Sequence, residues 1–537
     1  MASSSPLHVV VFPWLAFGHM IPFLELSKQL ARRGHAVTFV STPRNAARLG
    51  AVPPSLSARL RVVTLELPEV DGLPAGAEST ADVPPEKVGL LKKAFDGLAA
   101  PFAGLVAERG SAGDVGGVEA SAGFSRKPDW IVLDFAQSWV LPIAEEHQIA
   151  CAMLLIFPVA VFVFLGPEHE NKAHPRVTAE DFMSPPPWIP FPSALSYRRR
   201  HEAEWIAAAF RPNASGVSDL GRFWEAAHHP ACRLIAHRSC PEAEPRMFPL
   251  MADLFAMPVV PAGLLLPDAT DSGEPFSDVL KWLDEQPSRS VVYVALGSEA
   301  PVTVGHVREL ARGLELSGAR FLWAPRPPPS SGATDHAGEL LPDGFERRVS
   351  GRGVVITGWV PQVRVLGHGA TGAFLTHCGW GSTLEGLFRF GLPLVMLPFV
   401  VDQGLIARAV AARGAGVEVD REDDDDGSFT GEDVAAAVRR VMAAEEIARN
   451  AMELRKVVGD GARQEQYIDE LVECLAACSA TDEIARSLTG SGSVLLPVRK
   501  WKLYSIWEIN FFFLPHTCTR KIWEMNFYWI NKIQIRA

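Results

Sequence analysis

WVPQVRVLGHGATGAFLTHCGWGSTLEGLFRFGLPLVMLPFVVDQ, residues 359–403, decides the fold. Its apolar run 373–376 ends at a turn of His377, Cys378, Gly379, Trp380, Gly381 and Ser382, after which the pattern turns helical until a second apolar run at 394–397. Strand, short turn, helix and strand in this order join as parallel neighbours through a right-handed crossover. The glycines permit close backbone approach. The N–H groups at a helix N-terminus offer the positive end of its dipole, so this turn suits a pyrophosphate. A local role stands beside that one, because Ser382 and Glu385 have the spacing of a capping box.

Working outward, the same half of the chain predicts strands at 290–296, 321–324 and 354–357, the first ending in Gly297 and Ser298. Downstream, Thr430 and Asp433 form a capping-box signature for a helix over 430–442, and helical pattern continues to about 478. The Pro- and Gly-bearing stretch 261–267 separates this half from one that begins alike: an apolar run at 8–12, a small-residue loop, a helix predicted over 22–33 and stopped by Gly34, then a strand at 36–41. A further strand at 130–133 ends in Asp134, and the Gly-, Ala- and Ser-rich segment 111–127 reads as a surface insertion. The longest apolar stretch, 151–166, is broken by Pro158 and falls short of the roughly 20 residues that span a bilayer, so it reads as buried strand and turn. Since single cores stop growing near roughly 250–300 residues, two doubly wound α/β domains are expected.

The formal charge of −11 argues against nucleic acid or an anionic membrane as the main partner. The acidic run 422–426 reads as a solvated loop. Seven cysteines, odd in number and without metal-ligand spacing, predict reduced thiols, and the first residues lack the basic start of a signal peptide, so the cytoplasm is expected. A monomer is expected. Residues 500–537, crowded with Trp, Phe, Ile, Asn and Lys, show no caps or periodicity and read as an appendage of unknown role.

Open α/β sheets bind ligands beyond the carboxyl ends of their strands, so the residues just after each strand are informative. His19, beside Gly18, and Asp134 both occupy such places. Either has a bland alternative as a helix cap. Taken together they suggest a carboxylate that orients one imidazole nitrogen while the other removes a proton from an alcohol. No serine-nucleophile elbow accompanies them.

The stretch 359–403 resembles the signature box of plant secondary-product UDP-glycosyltransferases, in glycosyltransferase family 1 with the GT-B fold. FPWLAFGHMIPFLELSKQL, WLDEQPSRSVVYVALGS and LLPDGFERRVSGRGVVITGWVPQ extend the resemblance, which runs from about residue 8 to 478. It implies two Rossmann-like domains facing a crevice: an acceptor domain over 1–260, a linker over 261–275, a donor domain over 276–455, a returning helix over 456–478 and an atypical tail over 479–537. It further implies that Trp359 stacks on uracil beside the Val360 backbone, and that Gln362 and Glu385 hold the ribose. Ser298, His377, Gly379, Gly381 and Ser382 would surround the diphosphate, and Trp380, Asp402 and Gln403 would bind the transferred sugar. The chain departs from the family in having Gly381 where most members have Asn, and one extra residue within 388–391.

The expected reaction is inverting transfer of glucose or rhamnose from a UDP-sugar to a small lipophilic or already glycosylated acceptor, with His19 as base, Asp134 behind it, and neither a metal nor another cofactor. The wording of the box, with Val360, Gly381, PLVMLP and DQG, resembles the subgroup that extends sugar chains on flavonoids and terpenoids. The polar segment 196–204 is expected to line the wider crevice such acceptors need. A dinucleotide oxidoreductase is disfavoured because neither first turn carries G-x-G-x-x-G. For a non-catalytic nucleotide-sugar binder the clue would be loss of His19 or Asp134, and both are present.

Overall fold

The computed structural model describes residues 5–111, 127–267, 277–297, 300–325, 341–358, 360–421 and 427–489. Most of the predicted surface insertion, the end of the linker, the acidic run, the tail from residue 490, Ser298 and Trp359 therefore lie outside the described residues. The chain through Ser479 forms one compact unit.

That unit is built on two wholly parallel sheets. The first contains β1 (His8–Phe12), β2 (Ala36–Ser41), β3 (Leu60–Thr64), β4 (Trp130–Leu133), β5 (Ala150–Leu155), β6 (Cys232–His237) and β7 (Val259–Pro261), in the order β3-β2-β1-β4-β5-β6-β7. The second contains β8 (Val291–Ala295), β9 (Arg320–Trp323), β10 (Gly353–Val355), β11 (Thr371–Thr376), β12 (Leu394–Met396) and β13 (Gly416–Glu418), in the order β10-β9-β8-β11-β12-β13. Strands β1, β2 and β8 are buried at every position, as expected where helices cover both faces.

Both sheets reverse their strand order once, between β1 and β4 and between β8 and β11. Crossovers leave in opposite directions from such a point, which opens a crevice beyond the strand ends. Phe12 pairs with Leu133 at the end of the first switch, and Ala295 with Thr376 at the end of the second. The residues singled out in the sequence, His19, Asp134 and His377, therefore follow three of the four strands that make the two crevices, β1, β4 and β11.

Several local expectations change. The first helix spans Phe17–Arg32 and so begins five residues ahead of the predicted start at 22. Pro22 lies inside it, and the Ala16 carbonyl starts the helix by accepting the N–H of His19 at 2.9 Å and of Met20 at 2.8 Å. His19 thus stands in the first helical turn, not in a loop. The apolar stretch 151–166 is not strand and turn alone, because a short helix, Val159–Leu165, follows Pro158. Proline there presets the backbone just ahead of the first turn.

The Thr430–Asp433 capping box forms as predicted. The last described helix, Gly461–Thr489, runs past the predicted end near 478. Its residues Ile468, Leu471 and Leu475 are buried among Trp130, Val132 and Leu234 of the first sheet. The Trp130 indole donates to the Leu475 carbonyl at 3.1 Å. Each buried aliphatic side chain is worth about 1.5–3 kcal/mol. The exposed pairs of Arg33 with Glu465 and Asp469 add at most about 1 kcal/mol each, so apolar packing holds this helix to the first sheet.

Candidate active site and donor crevice

At the first switch point, His19 Nδ1 lies 2.7 Å from Asp134 Oδ2. Asp134 is 1% exposed, and its carboxylate also accepts the Trp14 N–H at 3.1 Å and the Phe135 N–H at 2.8 Å. Three donors hold it in one orientation. An ionised carboxylate only accepts, so Nδ1 carries the proton and Nε2 keeps its lone pair. Nε2 has no hydrogen-bond partner among the described residues. The capping alternatives both fail: no side chain caps the Phe17–Arg32 helix, and the helix after Asp134 starts only at Val140.

Aromatic rings wall the imidazole, with Phe157 edge-on at 5.3 Å between centroids and Phe135 at 5.7 Å. Neither ring was singled out in the sequence. Both lie just past the ends of strands in the first sheet, which is the signal that would have found them. An apolar wall beside a base lowers the local dielectric and suits a lipophilic acceptor. A Cβ added to Gly18 would meet nothing within 4 Å, so the approach to His19 stays open on that side.

At the second switch point Thr376 is followed by His377, then Cys378 in a left-handed conformation (φ 65°), then Gly379 as the N-cap. The His377 ring is packed between two glycines. A Cβ on Gly297 would come within 2.5 Å of it, and one on Gly379 within 2.4 Å. Only glycines allow that packing, and Gly297 also takes a positive φ of 72°. The helix runs Trp380–Thr383 and continues as a π-helical segment, Leu384–Arg389. The N–H groups of Trp380, Gly381 and Ser382 stand in its first turn, where helical geometry supplies no partner. Burial pushes the Cys378 thiol well up, so it is no nucleophile at neutral pH.

The capping box anticipated between Ser382 and Glu385 does not form, because Gly379 is the cap and Glu385 accepts a 2.8 Å hydrogen bond from Gln362 Nε2. Gln362 and Glu385, both predicted at the ribose, are thus brought together. Loss of hydration raises the Glu385 carboxyl above its ordinary range, opposed by the Gln362 bond and by the charges of Arg238 and Arg389. Val360 is buried next to them. The indole N–H of Trp380 is spent on the Arg238 carbonyl at 2.7 Å, which leaves only its main chain for a ligand. The one-residue excess in the box meets a π-helical turn, which absorbs an inserted residue by widening the helix.

Asp402 and Gln403, both buried, open the helix Gln403–Ala412. Gln403 Oε1 accepts from the N–H groups of Phe399 at 2.8 Å and Val400 at 3.1 Å, which fixes the turn carrying Asp402. The first domain reaches this turn. The Tyr197 hydroxyl donates to the Val401 carbonyl at 2.6 Å, and a Cβ on Gly404 would come within 2.7 Å of a Glu202 oxygen.

The segment 196–204 does not serve as the polar wall expected of it. Arg199 is buried against Glu202 at 3.2 Å and Glu418 at 3.0 Å, and Arg408 pairs with Glu202 at 2.5 Å. Arg200 turns outward to Glu180 and Glu204. The charges answer carboxylates from both halves of the chain, because buried guanidinium groups need such partners. The segment is an interdomain tie.

The family model for UDP-glucoronosyl and UDP-glucosyl transferase matches residues 259–464. UDP-glycosyltransferase 91B1 of Arabidopsis thaliana is 42% identical over 490 residues, covering 88% of this chain and 98% of the relative. Soyasaponin III rhamnosyltransferase of Glycine max is 35% identical, covering 88% and 96%. Among solved structures, Os79 from O. sativa in complex with U2F and trichothecene has a TM-score of 0.67 at 26% identity, covering 88% of this chain and 100% of that one.

Proposed function

The chain belongs to the plant UDP-glycosyltransferase family, and on that premise we propose that His19, held by Asp134, is the base of an inverting hexosyl transfer to an acceptor that already carries a sugar. The enzyme is a hexosyltransferase that uses a UDP-sugar donor. In the proposed step an acceptor hydroxyl loses its proton to His19 Nε2 and its oxygen forms a bond to the anomeric carbon. The bond from that carbon to the diphosphate breaks on the opposite face, and its electron pair leaves with UDP. Asp134 steadies the imidazolium that results.

The observation that carries this reading is the 2.7 Å contact of His19 Nδ1 with a buried carboxylate, which leaves Nε2 without a hydrogen-bond partner among the described residues. The diphosphate is assigned to the turn His377–Gly379–Gly381–Ser382 with Ser298, the uracil to Trp359 and Val360, and the ribose to Gln362 and Glu385. The sugar is assigned to Asp402, Gln403 and the Trp380 main chain. Charge developing on the departing diphosphate would meet main-chain N–H groups already in place, which need no rearrangement as the bond breaks. We read residues 1–260 as the acceptor domain, 261–275 as the linker, 276–455 as the donor domain and 456–478 as a helix returning to the first, and place the enzyme in the cytoplasm as a monomer.

The acceptor assignment draws on the box wording and on likeness to a protein named for rhamnosyl transfer to soyasaponin III. The donor is UDP-glucose or UDP-rhamnose. Comparing kcat/KM on matched pairs of flavonoid or terpenoid aglycones and their monoglucosides tests this. Glycosides are expected to be the better acceptors, and a consistent preference for the aglycone would reject the assignment.

A further inference from the structure

One cation crosses from the first sheet to the donor turn. Arg238 follows β6 directly and is 4% exposed. Its N–H donates to the Leu155 carbonyl at 2.9 Å, and its own carbonyl receives the Trp380 indole at 2.7 Å. The backbone therefore ties the two halves together at this point. The side chain is less fully used. Nε donates to the Leu264 carbonyl at 2.9 Å and Nη2 to the Leu265 carbonyl at 3.4 Å, while Nη1 has no partner among the described residues. Nη1 lies 3.5 Å from where a Cβ on Gly381 would stand, so it points at the first turn of the helix capped by Gly379.

Among the described residues no carboxylate bonds this guanidinium, although Glu385 and Glu25 act on it from a distance. Carbonyls satisfy donors without neutralising a charge, and a buried cation without an anion is costly. Burial lowers the Arg238 pKa to about 10, which still leaves it charged at neutral pH. The missing anion has an obvious place, because the same helical turn offers free N–H groups. Gly381 belongs to this arrangement. A Cβ at 381 would be in van der Waals contact with the guanidinium, so the two positions face the same space.

We propose that Arg238 is a diphosphate-binding residue of the donor site, supplying from the first domain, through Nη1, the contact that a side chain at position 381 would otherwise make. The proposal rests on the reading that the turn 379–382 holds the diphosphate. Because negative charge grows on the departing UDP, the contact strengthens in the transition state and acts on kcat as well as on affinity.

Calorimetric titration of UDP and of uridine, which lacks the phosphates, tests it on the full chain with Arg238→Met, Arg238→Lys and the double variant Arg238→Met/Gly381→Asn. Arg238→Met is expected to weaken UDP by roughly tenfold or more, the scale of one lost charge-assisted hydrogen bond, with uridine unchanged. Arg238→Lys should fall between, and Asn at 381 in the Met background should recover part of the loss. A strut that only ties the domains together would weaken both ligands alike. Equal weakening of UDP and uridine, or no weakening of UDP in a folded variant, overturns the proposal. If Arg238→Met does not fold, the same comparison is made on Arg238→Lys. Wild-type protein that binds UDP no tighter than uridine would instead remove the diphosphate site itself, and with it the reading of the turn.

Discussion

At the end of β1 the chain presents an imidazole, whereas at the end of β11 it presents main-chain N–H groups. Both places are a strand, a short turn and the start of a helix at a switch point. They differ in what the turn is made of. The first, Trp14 to Ala16, is buried and apolar, and it sets a single titratable group against a carboxylate reached from β4. The second replaces side chains by Gly379 and Gly381, so that the backbone itself forms the surface. On the proposed reading, the same architecture serves proton transfer where a side chain is oriented and anion binding where side chains are withheld.

If that division holds, the two turns should fail in different ways. The largest effect is expected for His19→Ala, which should lower kcat by about 10²–10⁴-fold, as for loss of a general base, with UDP affinity kept. Unchanged turnover in a folded variant would break the comparison at its first term. Asp134→Asn should also leave UDP binding alone and reduce turnover by about 10²-fold or more, through the wrong tautomer or an unsupported imidazolium.

Gly379→Ala probes the other turn. The new Cβ would sit 2.4 Å from His377 Nε2, and overpacking of this kind costs about 1–3 kcal/mol. UDP affinity should weaken by about tenfold, while the KM for acceptor stays near the wild-type value. A change confined to acceptor binding would show that the two turns are not separable. The smallest effect is expected from ending the chain after Cys478. The buried anchors Ile468, Leu471 and Leu475 are all retained, so melting temperature and turnover should match those of the full chain. A lower melting temperature with lost activity would show that later residues pack on the body.

The pair His19 and Asp134 was legible because each member directly follows, or nearly follows, a β-branched apolar run, and residues there face a crevice. Phe135 and Phe157 obey the same rule and were passed over, since an aromatic residue after a strand reads equally well as core. Arg238 was out of reach because the segment Cys232–His237, interrupted by Arg233, was not recognised as a strand. The polar segment 196–204 was misjudged for another reason. Its charge pattern looked like a solvated wall, yet the partners that bury it, Glu418 and Arg408, lie more than two hundred residues further on.

By itself the sequence determined what depends on period and spacing: two parallel α/β halves, the His19 and Asp134 positions, and the glycine turn after residue 376. Those features follow from local backbone preference and from which faces must be buried, and neighbours in the chain suffice to specify them. The tertiary structure decided which of those groups meet. It placed Asp134 on His19 across 115 residues, turned the Arg199 cluster into an interdomain tie, and brought Arg238 to Gly381. Such pairings depend on two strand ends or two domains coming to lie side by side. Their energy exists only after the chain is packed, when buried charges and donors must find partners that sequence spacing does not reveal.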